Sequence, residues 1–188
     1  MSNTTIIALV GSLRAGSTNR QLAEAAVTVA PENVDLTIFE GLENIPFYNE
    51  DLDVPGQVPA AAERLRNAVA AADAALLVTP EYNGTIPAVL KNAIDWLSRP
   101  HGQGALTGKP AAVVGTAYGQ FGGVWAQDET RKALGVAGAQ VLENAKLSIP
   151  GSLVRFAAVN PKDDAEVVAG LTAVLDTVVQ GVAEKAAA

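Results

Sequence analysis

Apolar residues in this chain follow two alternating patterns. Short, nearly unbroken runs at 5–10 (TIIALV), 34–39 (VDLTIF), 74–79 (AALLVT) and 111–116 (AAVVGT) predict strands, and a fifth is predicted within 140–149 (QVLENAKLSI). Runs apolar on both faces fit a parallel sheet covered from both sides. Between them the period becomes helical. Leu22, Ala25, Ala26 and Val29 repeat at i, i+3, i+4, i+7 after the first strand, and Ala62, Leu65, Val69 and Ala72 do so before the third. Ile86, Val89, Leu90, Ala93, Ile94 and Leu97 make the cleanest stripe; Pro87 suits its first turn and Pro100 lies just past its end. A fourth helix is predicted over 122–135. Val167, Val168, Leu171, Val174, Leu175, Val178, Val179 and Val182 mark a long C-terminal one, whose last residues, AEKAAA, are expected to fray.

Strand–helix alternation of this kind predicts a doubly wound α/β domain, and residues 1–188 contain no repeat, low-complexity tract or linker that would divide them. A single domain is expected. The longest irregular stretch, 40–58 (EGLENIPFYNEDLDVPGQV), has a length that usually means function or mobility.

Charge and composition narrow the chemistry. A net charge of −7 argues against non-specific nucleic-acid or anionic-membrane binding. With no cysteine, thiolate nucleophiles, disulfides, Cys-ligated zinc and iron–sulfur clusters are excluded. No His/Asp/Glu group has metal-ligand spacing, so no metal is expected. No secretory signal and no apolar run of membrane-spanning length is visible, and a cytoplasmic location is expected.

Three loops after predicted strands carry the candidate chemistry. The first, GSLRAGSTNR (11–20), contains Arg14 and Arg20 before the first acid, Glu24. It opens a helix, whose N-terminus attracts anions. Gly11 and Gly16 allow close backbone approach; Ser12, Ser17, Thr18 and Asn19 offer short donors; Arg14 offers a planar fork suited to phosphate. The alternative is an ordinary cap, because Thr18 and Gln21 have capping-box spacing. The loop lacks both the G-K-[ST] ending of a P-loop and G-x-G-x-x-G. In the second loop, Pro80, Glu81, Tyr82, Asn83 and Gly84 offer exposed amides and a flat aromatic face to a planar ring; an ordinary turn with Tyr82 covering the core is the alternative. The third, TAYGQFGGVW (116–125), has Gly119, Gly122 and Gly123 either against a ligand or in a flexible turn. In a sheet of order 2-1-3-4-5, strands one and three are neighbours at a topological switch point, where ligands bind. A phosphate joined to a planar heterocycle describes FMN.

The motifs Gly11-Ser12-Leu13-Arg14-Ala15-Gly16-Ser17-Thr18-Asn19-Arg20-Gln21-Leu22-Ala23 and Pro80 through Pro100 resemble the hallmarks of the NADPH-dependent FMN reductase family, a branch that groups flavin, quinone and chromate reductases. IPFYNEDL (45–52) resembles that family's loop after strand two. The resemblance implies a flavodoxin-like fold, bound FMN and a homodimer or homotetramer. It implies that Ser12, Arg14, Ser17 and Asn19, with neighbouring Thr18, hold the FMN phosphate. Pro80, Glu81, Tyr82, Asn83 and Gly84 would border the isoalloxazine, with Tyr118, Gly119 and Gly122 flanking. NAD(P)H would give a hydride to FMN, and a small acceptor (quinone, flavin, chromate or azo dye) would then take the electrons in ping-pong fashion. No catalytic acid or base is required. His101 reads as a solvated loop residue, Lys91 and Asp95 as a surface pair, and Trp96 and Trp125 as packing or interface residues. The rival readings are a flavodoxin-like electron carrier without its own substrate, and an α/β module without cofactor.

Overall fold

The computed structural model describes residues 3–187. Five parallel strands, β1 (Thr4–Val10), β2 (Val34–Ile38), β3 (Ala74–Val78), β4 (Pro110–Thr116) and β5 (Gln140–Ile149), form one sheet of order β2-β1-β3-β4-β5. This is the flavodoxin-like order expected. In β1, Ile6 registers with Leu36 on one side and Ala74 on the other. Strand alternation sorts the side chains into two cores. Ile6, Ala8, Val10, Leu76 and Val78 pack under α1 (Thr18–Val29) and α6 (Ala165–Ala187). Ile7, Leu9, Leu77 and Val113 pack under α2 (Ala60–Ala71), α3 (Ala88–Leu97) and α4 (Val124–Val136). Each fully buried Leu or Ile contributes roughly 1.5–3 kcal/mol, so both faces are needed to hold the sheet.

The helices start where the local chemistry requires. Ser17 is extended and caps α1, its Oγ accepting from the Arg20 N–H at 3.1 Å. The cap therefore lies one residue before the Thr18–Gln21 box expected, and Thr18 is the first helical residue. Pro59 and Pro87 immediately precede α2 and α3.

Four features depart from the expectations. A seven-residue helix, α5 (Ser152–Ala158), follows β5. Stretch 40–58 contains two 3₁₀ turns, Leu42–Asn44 and Glu50–Leu52. The AEKAAA tail stays helical to Ala187. By length and composition alone α6 is apolar enough to cross a membrane, against the expectation from run lengths; 33% of that apolar window is buried, along the stripe Val167, Leu171, Val174, Leu175 and Val178 that packs on the sheet.

Candidate active site

The loops leaving β1, β3 and β4 meet over the β1–β3 neighbours and enclose a cleft of about 420 Å³. Ser12, Arg14, Ser17, Thr18 and Asn19 line it from the first loop, Pro80, Glu81 and Tyr82 from the second, and Tyr118 from the third. Gly11 makes this convergence possible. A Cβ there would sit 2.8 Å from Pro87 Cγ and 3.1 Å from Pro80 Cδ, so any side chain would push the first two loops apart.

The first loop presents positive character from two sources. The backbone ladder of α1 begins with the Gln21 N–H donating to Ser17 O at 3.1 Å, and the Arg20 N–H is taken by Ser17 Oγ. The N–H groups of Thr18 and Asn19 are thus left without a partner inside the helix, at its positive end. Arg14 is exposed, and among the described residues its guanidinium meets no carboxylate. Arg20 differs: it binds Glu24 at 2.9 Å and Glu40 at 2.6 Å, so its counter-charge is internal. These carboxylates hold the Arg20 guanidinium above its ordinary pKa, and Arg20 in turn holds Glu40 below its own.

Two residues expected to face a ligand spend their side chains on the scaffold. Asn19 is 4% exposed; its Nδ2 donates to Thr116 O at 2.9 Å and its Oδ1 accepts from Thr116 N–H at 3.0 Å. That pair ties α1 to the end of β4 and leaves only the Asn19 backbone N–H for an anion. Glu81 Oε2 accepts from the Ala126 N–H at 3.1 Å and caps α4, locking the second loop to the third.

The second loop is a tight reversal. Tyr82 and Thr85 exchange backbone hydrogen bonds at 3.2 Å around Asn83 (φ 54°) and Gly84 (φ 75°), the signature of a two-residue turn with positive φ at both centres. Tyr82 is 50% exposed and does not cover the core. Asn83, Gly84 and Gly119 are exposed and lie outside the cleft lining. Gly122, expected beside the cofactor, is not among the residues lining the cleft. It is buried, and a Cβ there would sit 2.8 Å from Ile149 N. Backbone packing on β5, together with φ 62°, requires this glycine.

A second, apolar cleft of about 550 Å³ adjoins the first and shares Arg14 and Tyr82 with it. Leu13, Ile45, Phe47, Pro87 and Val89 supply its walls. Its outer wall is segment 45–48 of the long stretch, and α3 fixes that segment. Asn92 Oδ1 accepts from the Tyr48 N–H at 2.8 Å and Nδ2 donates to Pro46 O at 3.0 Å, while the Trp96 indole N–H also donates to Pro46 O at 2.8 Å. Farther along, Arg66 grips Asp53 through two bonds of 2.7 and 2.8 Å and reaches Trp96 O. This pairing holds the Asp53 carboxyl below its ordinary range. The stretch is therefore a fastened strap. Asn92, Trp96 and Arg66 were missed as site residues; the available signal was a polar residue, Asn92, inside the apolar face of α3.

His101 is exposed and lines neither cleft; it borders a separate groove with Lys91 and Asp95, which pair at 2.5 Å as expected. Trp96 is fully buried, whereas Trp125 is half-exposed and packs against Phe121 at 5.3 Å between centroids, the rings tilted by 51°.

Comparison with known proteins supplies the family. The sequence profile described as NADPH-dependent FMN reductase matches residues 4–153. A 2-hydroxy-1,4-benzoquinone reductase from a Burkholderia species is 44% identical over 126 residues, covering 67% of each chain. A quinone reductase from Pseudomonas putida is 44% identical over 129 residues, covering 69% of this chain and 68% of that one. Among solved structures, FerB, a flavoenzyme NAD(P)H:(acceptor) oxidoreductase from Paracoccus denitrificans, superposes with a TM-score of 0.85 at 31% identity, covering 96% of this chain and 98% of that one. The profile match over residues 4–153, together with 44% identity to quinone reductases across two thirds of their length, shows that the chain belongs to the NADPH-dependent FMN reductase family.

Proposed function

We propose that the chain is a single-domain FMN-dependent oxidoreductase that takes a hydride from NAD(P)H and delivers electrons to a quinone or free flavin. One observation carries the assignment of the cleft: unpaired amides and an uncommitted arginine face an exposed tyrosine across a switch-point cleft. A phosphate at one end and a flat ring at the other match that polarity. Arg14, the hydroxyls of Ser12 and Thr18, and the N–H groups of Thr18 and Asn19 would hold the phosphate. Ser17 caps α1 and holds that row of amides in place. Pro80 and Tyr82 would border the ring, with Tyr118 opposite. Asn83, Gly84 and Gly119 shape the rim. Glu81 and Gly122 act at one remove, by fixing loop positions.

Bound FMN supplies the two-electron chemistry. The chain's part is to orient the ring and leave one face open to small molecules. The apolar cleft beside it, walled by Phe47, Leu13 and Val89, suits a planar, uncharged acceptor such as a quinone. The exposed aromatics Tyr118, Phe121 and Trp125 near the mouth fit a homodimer or homotetramer whose neighbour completes the rim. A cytosolic setting is part of this reading.

If donor and acceptor use one open face in turn, steady-state double-reciprocal plots at several quinone concentrations will be parallel. Titration of the stripped protein will show tighter binding of FMN than of FAD, because the terminal phosphate of FMN brings close to two negative charges to Arg14 and the α1 amides and the esterified phosphate of FAD brings one. Intersecting lines would contradict the shared face. Equal affinity for FMN and FAD would contradict the pocket.

A further inference from the structure

We infer that the Ser152 hydroxyl is a further ligand of the FMN phosphate, supplied after β5 from outside the three loops described above. The inference deepens the flavoenzyme reading and rests on it. Ser152 opens α5 and lines the same cleft as Ser12, Arg14 and Thr18. It is 4% exposed. A hydroxyl so enclosed normally finds a partner, and its neighbours do: Thr116 Oγ1 donates to Ile149 O at 2.8 Å, and Thr79 Oγ1 to Pro80 O at 2.8 Å. Among the described residues Ser152 Oγ has no partner, although the Ser152 N–H donates to Ala117 O at 3.0 Å. Nor is that oxygen sealed. Among the described residues, Arg131 Nε is the one buried side-chain polar atom both fully enclosed and unpartnered. Ser152 Oγ is therefore accessible, and the cleft it lines is where it opens.

Its neighbours place it at the phosphate end. Asn19 clamps Thr116 through two hydrogen bonds, Ala117 is next in the chain, and Ala117 O accepts from Ser152. α5 also packs against α1. Ser152 thus stands beside the start of α1, where the Thr18 and Asn19 amides have no partner inside the helix. The position is held firmly. Gly151 enters α5 at φ 65°, and Arg155, one turn on, grips Asp164 through bonds of 2.7 and 2.8 Å. The hydroxyl makes the contact; α5, only seven residues long, serves to place it. Such a hydroxyl donates to a phosphate oxygen without first breaking an internal bond, and bonds to a charged acceptor are the strong ones.

The test titrates the flavin-free full chain with FMN and with riboflavin, which lacks the phosphate. Ser152→Ala removes one oxygen. It should raise the Kd for FMN about tenfold or more and leave that for riboflavin within about twofold. In the FMN-loaded variant the phosphorus NMR resonance of the cofactor should shift from its wild-type position, while the visible flavin band should stay where it is. An unchanged FMN affinity overturns the inference. So does an equal fall for FMN and riboflavin, which would put the hydroxyl on the ribityl chain or in the scaffold. In both cases wild-type protein that binds FMN and is reduced by NAD(P)H leaves the reductase reading standing. If the wild-type chain binds no FMN, that reading falls and this inference with it.

Discussion

Arg14 and Asn19 sit five residues apart in one motif and do different work. Arg14 is exposed and, among the described residues, meets no carboxylate, whereas Asn19 is buried and spent on Thr116. Arg14→Ala should therefore weaken cofactor binding and spare the fold. Loss of a charge-assisted hydrogen bond removes about 1.5–3 kcal/mol, or roughly 10- to 150-fold in FMN affinity. Riboflavin has no phosphate, so its affinity should hardly change; parallel titrations of FMN and riboflavin check this, and an equal fall in both would mean a disturbed fold. Asn19→Ala should instead lower stability by about 1–3 kcal/mol, because it leaves buried Thr116 backbone groups unpaired. Chemical denaturation measures it, and an unchanged midpoint would contradict the clamp. The donors of the first loop were legible because they are contiguous in sequence. The destinations of the Asn19 and Glu81 side chains were not, because their partners, Thr116 and Ala126, lie far along the chain.

Among elements, the strap 45–53 depends on α2 and α3 for its position. Its charged fastening is Asp53–Arg66, with side chains only 13% and 17% exposed. Arg66 depresses the Asp53 pKa in the folded state below its ordinary 3.8. The pair therefore stabilises the fold fully above the unfolded carboxyl value, and that stabilisation is lost as pH falls through the depressed one. Asp53→Asn should cost about 1.5–3 kcal/mol at neutral pH, and the gap to wild type should close below about pH 4, where the unfolded carboxyl takes up a proton. Denaturation at a series of pH values checks the sign; a gap that widens in acid would contradict it. Sequence periodicity found the five strands and the long helices because each repeats over several turns or alternations. It missed α5 and the 3₁₀ turns because so few residues carry no readable period. It read 40–58 as irregular because the strap is held by side chains of α2 and α3, not by a backbone pattern of its own.

At the scale of the whole molecule, the strand order followed from alternation and the switch-point rule, since a parallel sheet with helices on both faces allows few arrangements. The three loops then converge by topology. Close packing at Gly11 and Gly122, the Asn19 clamp and the Glu81 cap fix their spacing. In the proposed function this one chain both holds FMN and turns it over between a nicotinamide donor and a small acceptor. The most direct measurement is anaerobic stopped-flow absorbance on the purified protein loaded with FMN. Mixed with NADH, the bound flavin should bleach without any partner protein, and a quinone added afterwards should restore the oxidised spectrum at a rate consistent with turnover. A protein that binds no flavin, or one whose flavin stays oxidised with NADH and NADPH alike, would contradict the account.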